Sequence, residues 1–523
     1  MKTRFLFLLP LLIFPSLLPA QEKNPAVKKR VEILHSDEGI FEGDLRRLRY
    51  NVRLKHKETF MTCDSAHYYE RADLVKAFGN IHIFKGDTLH LYGQHLIYDS
   101  RAETAEVSDG VIFINNKTTL YTDHIFYDMA NEIARYETGG KIIHEENVLT
   151  SKIGIYHTRQ DILYFKDSVR LVNPDYVMYS DTLIYNTETE VAYFHGPTEV
   201  IGDSLNTRCE EGWHDTRNEI TLLKRNARVD NLKQIITADS IYHDAQNGYG
   251  TAFFDVTISD RTREVIVKGN RAWYYEDPEM FTITDSAQFI QVSDGEFMYL
   301  HADTLKSVVS AIDSASNRRL LRAWYGCRLF SDDLQAKCDS ISYSFTDSVI
   351  KMYYEPILWS EDNQLAADSI FLFTRNDAME RMELYNSAFV IEQIDPDRFN
   401  QIKGKNLTGY FKENKIYLIE VRGNGENIYW VIENDQLMGV NQSTCANMDI
   451  YIEDGNIKSI YMLSSPEGSL DPPLHISSSA RKLDNFNWLE KLKPKNRWDI
   501  FRREKQSIKK EAEASLKFSI HPR

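Results

Sequence analysis

The sequence predicts an all-β protein made of a stacked repeat of antiparallel strands. Aromatic residues make up 12% of the 523 residues, whereas proline occurs only 14 times. Aromatic and β-branched residues are favoured in strands. Apolar residues alternate with polar ones over short segments, and one motif returns about every 29 residues. Such a fixed period is typical of a repeat architecture.

The recurring motif is an acidic or polar residue, a small residue, an apolar residue and a tyrosine two positions further on. It occurs at 64–68, 94–98, 123–127, 181–185, 239–242, 339–343 and 368–371. Successive tyrosines are 30, 29, 29 and 29 residues apart at Tyr68, Tyr98, Tyr127, Tyr156 and Tyr185. This regularity predicts that the tyrosines occupy equivalent positions in successive layers.

A second, glycine-containing element lies midway between two copies of the first. It occurs at 77–83, 109–113, 139–142 and 195–200, and turn-forming residues lie at 85–87 and 115–117. Each repeat therefore predicts two strands of about ten residues. Two strands cannot bury their own apolar face, so neighbouring repeats must stack.

Within each strand, every second residue is apolar, which predicts one buried face and one exposed face. Outward positions include His90, Ile97, Phe126 and Ile184. The inward apolar residues are Leu89, Leu91, Leu96, Tyr98, Val111, Phe113, Ile125, Tyr127, Leu183 and Tyr185.

The sequence divides into four parts. Lys2, Arg4 and the apolar run ending at Ala20 predict a signal peptide at 1–20, too short to span a bilayer. Repeats follow at 21–270. The motif spacing breaks between 270 and 300, which predicts a second repeat region at 271–470. A tail at 471–523 is short, and is either helical or disordered.

Charge also separates the tail from the body. The chain has a net charge of −15, or −17 without Lys2 and Arg4. Residues 475–523 contain thirteen Lys or Arg and six Asp or Glu, a net of +7, which leaves about −24 for the body. An acidic body argues against nucleic acid as a partner. We expect the tail to dock away from the body's binding path, and its deletion to leave the β fold intact.

Among the five cysteines, Cys327 and Cys338 form a candidate pair. A two-residue turn at Asp332-Asp333 would place them directly opposite each other on adjacent strands. Opposed Cβ atoms lie about 4.5–5.5 Å apart, slightly wide for a disulfide but adjustable. Both a disulfide and two free thiols remain open.

No segment of the sequence predicts catalysis, a metal site or a cofactor. His144-Glu145 begins like a zinc-binding helix motif, but position 148 is a valine. The repeated aspartates could pair as glycosidase carboxylates, although their regular place at a turn favours a structural role. The repeated tyrosines could stack on sugars, although a tyrosine at a fixed position of each repeat more often stacks on its neighbours in the core.

The motif, followed by the glycine element in an exported chain, resembles the OstA-like (organic solvent tolerance) family. This family includes the periplasmic lipopolysaccharide-transport protein LptA and the N-terminal domain of LptD. The resemblance is clearest at 61–269 and thinner at 303–463. It implies a folded-over β-jellyroll, or β-taco, which holds the acyl chains of lipopolysaccharide in an apolar groove. The implied location is the periplasm, either free or associated with the outer membrane.

The resemblance also implies partners: lipopolysaccharide, other transport proteins of the same fold that join edge to edge, and further copies of this chain. The tail lacks the alternating strands of an outer-membrane barrel, so we expect a bridge or accessory protein. Two alternatives remain open at this stage. One is a structural or adhesive β-solenoid with a filled core that binds protein or polysaccharide, and the other is a β-helix enzyme that acts on polysaccharide.

Overall fold

The computed structural model describes residues 30–502, apart from 116, 158, 294, 310–318, 376–377, 434–435, 454–455 and 473–475. The predicted signal peptide and residues 503–523 of the tail lie outside the described residues. Contacts divide the chain into two units, Met1–Phe253 and Phe254–Arg523. This division falls inside one strand. The predicted boundary at 270 stays a sequence-based prediction of where the repeat spacing changes.

The strands of unit 1 are mostly 11 or 12 residues long. They are β1 (Glu32–His35), β2 (Glu38–Glu42), β3 (Leu45–His56), β4 (Thr59–Tyr69), β5 (Leu74–Lys85), β6 (Leu89–Asp99), β7 (Thr104–Asn115), β8 (Thr118–Asp128), β9 (Ile133–Tyr136), β10 (Gly140–His144), β11 (Asn147–Ser151), β12 (Ile153–His157), β13 (Ile162–Asn173), β14 (Tyr176–Asn186), β15 (Val191–Gly202), β16 (Leu205–Asp215), β17 (Ile220–Asn231) and β18 (Gln234–Asp244). The next strand, β19 (Tyr249–Asp260), contains the division between the units.

Unit 2 has longer strands toward its C-terminal end, followed by three 3-10 turns. These elements are β20 (Val265–Glu276), β21 (Glu279–Ser293), β22 (Glu296–Val309), β23 (Arg319–Phe330), β24 (Gln335–Ser344), β25 (Val349–Tyr353), β26 (Ile357–Ser360), β27 (Asn363–Ala366), β28 (Ser369–Arg375), β29 (Ala378–Asp395), β30 (Arg398–Lys412), β31 (Lys415–Glu433), β32 (Gln436–Glu453), β33 (Asn456–Leu463), β34 (Glu467–Asp471), η1 (Ser478–Arg481), η2 (Glu490–Leu492) and η3 (Asp499–Phe501).

Within each unit, successive strands pair antiparallel. In unit 1 the ladder runs from β3 to β18, with β9 and β10, and likewise β11 and β12, acting as two halves of one interrupted strand. In unit 2 it runs from β20 to β32, with a similar interruption at β25 to β28. The all-β fold with two strands per repeat is confirmed.

Alternate long strands of the ladder fold over near their midpoint. There, two consecutive residues usually adopt positive φ angles, as at Gly79-Asn80, Asp109-Gly110 and Asp167-Ser168 in unit 1. The strand register shifts at the same points. Gly, Asn and Asp tolerate this left-handed conformation best. The glycine element of the sequence is therefore the crease of a strand, which bends the sheet back on itself.

A segment after the last strand, residues 476–502, crosses the strands of unit 2; we call it the strap. Buried Gln364 donates to the Asn487 carbonyl at 2.7 Å and accepts from the Leu489 amide at 2.6 Å. Gln401 binds the backbone on both sides of Lys482 in the same way, at 2.8 Å each. These two glutamines hold the strap as a neighbouring strand would.

Apolar side chains of the strap pack on the outer face of the sheet of unit 2 and form a second core there. Phe486 and Trp488 pack on Phe399, with ring centroids 5.1 and 5.3 Å away. Ile500 is fully buried. The strap therefore supplies part of the core of unit 2. The expectation that the β fold stays intact without the tail stays a prediction. The described tail contains 3-10 turns and no α-helix.

Candidate functional site

The repeated tyrosines form one row across the strands of unit 1. Tyr68, Tyr98, Tyr127 and Tyr185 are each the tenth residue of an 11-residue strand. The row runs through residues 68, 75, 98, 105, 127, 134, 156, 163 and 185. Consecutive tyrosines are thus two strands apart, which confirms their equivalence in successive layers.

The tyrosine row lies on the inner side of the folded sheet. Tyr68 donates to the Asp73 carboxylate at 2.8 Å, and Tyr98 hydrogen-bonds the His56 ring. Burial raises the pKa of both hydroxyls. Tyr98 ends one strand half and His56 ends the other, so their contact shows where the two halves meet. Tyr68, Tyr98 and Tyr185 are buried and Tyr127 is half-buried, which favours a core position over a sugar-stacking role for these tyrosines.

The repeated aspartates lie beside the creases. Asp64 accepts a hydrogen bond from the Asn80 side chain at 2.9 Å. A Cβ atom added to Gly79 would come within 2.4 Å of Asp64, and one added to Gly196 within 2.7 Å of Asp181. The aspartate of one strand therefore fills the space that the crease glycine of the next strand leaves open. This geometry supports the structural role over a catalytic pair.

The inward apolar residues divide into two groups by exposure. Six are buried: Leu96, Tyr98, Val111, Ile125, Leu183 and Tyr185. The other four are half-buried: Leu89, Leu91, Phe113 and Tyr127. The outward neighbour Ile97 is 42% exposed, whereas Leu96 is 1% exposed. The alternation of the sequence therefore separates the inner face from the outer face.

Some apolar residues that pack against the core of unit 1 are only partly buried. We call the residues Leu91, Phe113, Met129 and Ile142 the seam. Each of them packs against the buried core of unit 1 and still reaches solvent. Apolar side chains in this state give the inner face an accessible edge. An acyl chain could extend along that edge without first opening the buried core.

Two histidines continue the tyrosine row, which the sequence analysis missed. His214 and His243 are the tenth residues of β16 and β18. They follow Tyr185 at the same 29-residue spacing, and this spacing was the signal that could have found them. The His214 ring hydrogen-bonds the Thr221 hydroxyl at 2.8 Å. Burial lowers the pKa of His214 to about 4, so the imidazole is neutral near pH 7.

The two candidate cysteines face each other as the turn geometry required. Cys327 pairs with Cys338, and the flanking register from Phe330 and Gln335 inward matches a turn at 331–334. Both thiols are buried and free. The neighbouring Cys338 thiol and burial raise the pKa of Cys327. Formation of the disulfide stays a prediction.

Among residues 30–502, outside the gaps given above, no three His, Cys, Asp or Glu side chains are arranged to hold a metal ion. Over that same part of the chain, no helix has both the length and the apolar character that a membrane span needs.

Comparison with known proteins gives one matching family and several matching solved structures. Residues 28–181 match the OstA-like protein family. A structure of LptH from Pseudomonas aeruginosa, described as the LptA-homologous periplasmic component of the lipopolysaccharide transport device, is 12% identical; the match covers 26% of this chain and 81% of LptH, with a TM-score of 0.14. No curated protein matches the chain. Residues 28–181 are therefore similar to the OstA-like family, the family that the repeat motif resembles.

Proposed function

We propose that this protein binds lipopolysaccharide in the periplasm and takes part in its transport to the outer membrane. The observation that carries the proposal is the seam of unit 1. Its apolar residues line the inner face of an OstA-like sheet and remain accessible. An acyl chain of about twelve carbons that moves into such a surface gains on the order of 10 kcal/mol. Repeating layers offer similar contacts along the stack, which suits passage of lipid rather than a single tight pocket.

Partners of the same fold would join at the strand edges. In the described residues, β1 and β2 pair only with β3, and they are exposed along their whole length. At the C-terminal end of unit 2, β33 and β34 pair only with β32 among the residues that the structure describes. Unpaired backbone groups at such edges can add a strand from another protein. We propose that other transport proteins, or further copies of this chain, bind there.

A photo-crosslinking experiment tests the lipid path. A photoreactive amino acid replaces Leu91 or Phe113 at the seam, and the matched outward neighbours Tyr92 or Ile112 in control variants. The proposal requires adducts with lipopolysaccharide from the seam positions only. Equal adducts from both faces would point to non-specific contact. Folded protein without adducts at either face would favour the structural solenoid with a filled core.

A further inference from the structure

The end of the strap forms a cleft with two strands of unit 2. The turn at 495–499 is fixed because Asn496 accepts hydrogen bonds from the Trp498 and Asp499 amides at 2.9 and 3.1 Å. Fully buried Ile500 anchors the turn, and the Phe501 ring lies 4.6 Å from the His301 ring. The strap therefore holds its last residues in a defined place against β22 and β23.

Four aromatic side chains line this cleft, which has a volume of about 360 Å³. Phe297 and Tyr299 of β22 are stacked, with centroids 5.9 Å apart. Tyr299 lies directly opposite Phe330 of β23 in the strand register. Trp498 of the strap completes the set. Trp498 is 67% exposed and Phe297 is 47% exposed. Large aromatic surfaces that fold into a cleft and stay open to water commonly mark a binding site.

Polar groups surround the aromatic rings. The Arg497 guanidinium lies 4.9 Å from the Trp498 ring centroid and 3.5 Å from the Tyr299 hydroxyl. Within the described residues, Arg497 forms an ion pair with no carboxylate, so its remaining N–H groups can donate to a ligand. The carboxylates of Glu296 and Asp332 also line the cleft. The cleft thus combines aromatic rings with both donors and acceptors.

We infer that this cleft binds a pyranose saccharide. A sugar ring presents a C–H face that packs on an aromatic ring and a rim of hydroxyls that hydrogen-bond in both directions. The cleft offers rings for the first and Arg497, Glu296 and Asp332 for the second. An acyl chain fits less well because charged groups lie on the rim of the cleft, and a cationic ligand fits less well because the positive charge of Arg497 would repel it. The site goes beyond the proposed lipid path and does not depend on it.

Titration of the full mature protein tests the inference. The probes are maltotriose, a galactose trisaccharide and the fully deacylated oligosaccharide of lipopolysaccharide, followed by calorimetry and saturation-transfer NMR. At least one should bind, and Trp498→Ala should weaken that binding by about tenfold or more. Phe297→Ala should act in the same direction. Tyr354→Ala is the matched control, because this tyrosine is 71% exposed and lies outside the cleft.

Two results would overturn the inference. One is that none of the saccharides binds the folded protein. The other is binding that Trp498→Ala and Tyr354→Ala leave equally strong, which would place the sugar elsewhere. If Trp498→Ala abolishes binding of a protein partner while no saccharide binds, the cleft is a protein-docking site and the inference also fails. Lipid crosslinking from Leu91 should be unchanged in Trp498→Ala, so failure here is distinct from failure of the lipid path.

Discussion

The two units differ in how far the outer face of the folded sheet is buried. After the crease of β5, the outward residues His82 and Phe84 are half-buried and stack on each other, with centroids 4.9 Å apart. At the corresponding positions after the crease of β29, Phe389 and Ile391 are buried under the strap. Unit 2 therefore has a core on both faces of this half-sheet, whereas unit 1 has one. Similar strands can be half-solvated or fully enclosed, depending on a segment far away in the sequence.

Deletion of the strap should have the largest effect on this difference between the two units. A chain that ends at Asp471 loses the strap's five core-packing side chains, namely Ile476, Leu483, Phe486, Trp488 and Ile500. Burial of each large apolar side chain contributes about 1.5–3 kcal/mol, so unit 2 should lose more than roughly 5 kcal/mol of unfolding free energy. Peptide-resolved hydrogen exchange should show faster exchange in β29 to β32.

The control for this deletion ends the chain at Arg502 and keeps the whole strap. It should match the intact mature protein in exchange. Strands β3 to β8 of unit 1 should exchange at the same rate in both truncations. If the amides of β29 to β32 were equally protected from exchange without the strap, the sheet would be stable without it, as the sequence analysis expected.

Inner and outer faces of unit 1 can be compared at two adjacent residues. Leu96→Ala should cost about 3 kcal/mol, because the side chain is 1% exposed and its removal leaves a cavity. Ile97→Ala should cost less than about 1 kcal/mol, because the side chain is 42% exposed. Denaturant unfolding of the two variants measures both values. Equal costs would mean that the sheet has no preferred inner face here.

The matched outer positions of the two units sharpen the comparison further. Ile391→Ala should cost about 2–3 kcal/mol, because the strap buries this outward side chain to 2% exposure. Phe84→Ala, at the corresponding position of unit 1, should cost about 1 kcal/mol, because it loses mainly its ring contacts. In a chain that already lacks the strap, the cost of Ile391→Ala should fall toward the Phe84 value. Non-additivity of this kind is measured by a double-mutant cycle.

The spacing of apolar residues and turns predicted much of this structure, because that spacing also determines how neighbouring strands pair. The 29-residue period, the tyrosine row and the register of Cys327 with Cys338 follow from strand alternation and turn length, which act over neighbouring residues. The glutamine contacts to the strap could not be predicted in the same way. Gln364 binds a backbone carbonyl 123 residues away in the sequence, and no periodicity links a strand glutamine to a segment without regular structure.

The sequence predicted which side chains of the candidate site point inward, but it did not predict how exposed each of them is. Alternation identified Leu91 and Leu96 as inward residues, and the structure places them so. It could not tell that Leu91 is half-buried while Leu96 is enclosed, because this depends on which side chains of the facing strand half cover each residue. The creases bring the two halves face to face, and the sequence analysis did not identify them as folds within a strand.

A pH effect separates the histidine end of the row in unit 1 from its tyrosine part. The pKa of His214 is lowered by burial from 6.5 to about 4. In the unfolded chain this imidazole binds a proton below about pH 6.5, whereas in the folded chain it does so only near pH 4. Its contribution to stability is therefore complete above pH 6.5 and is lost as the pH falls toward 4. Between pH 7.5 and 5.0 the loss should be about 2 kcal/mol. His214→Gln, which cannot take a proton, should remove this part of the pH dependence in denaturant unfolding, whereas His195→Gln, at an exposed histidine of β15, should keep it. Burial also lowers the pKa of His144, so a smaller slope of the same sign should remain. An unchanged slope in His214→Gln would mean that the buried row does not exclude water at this position.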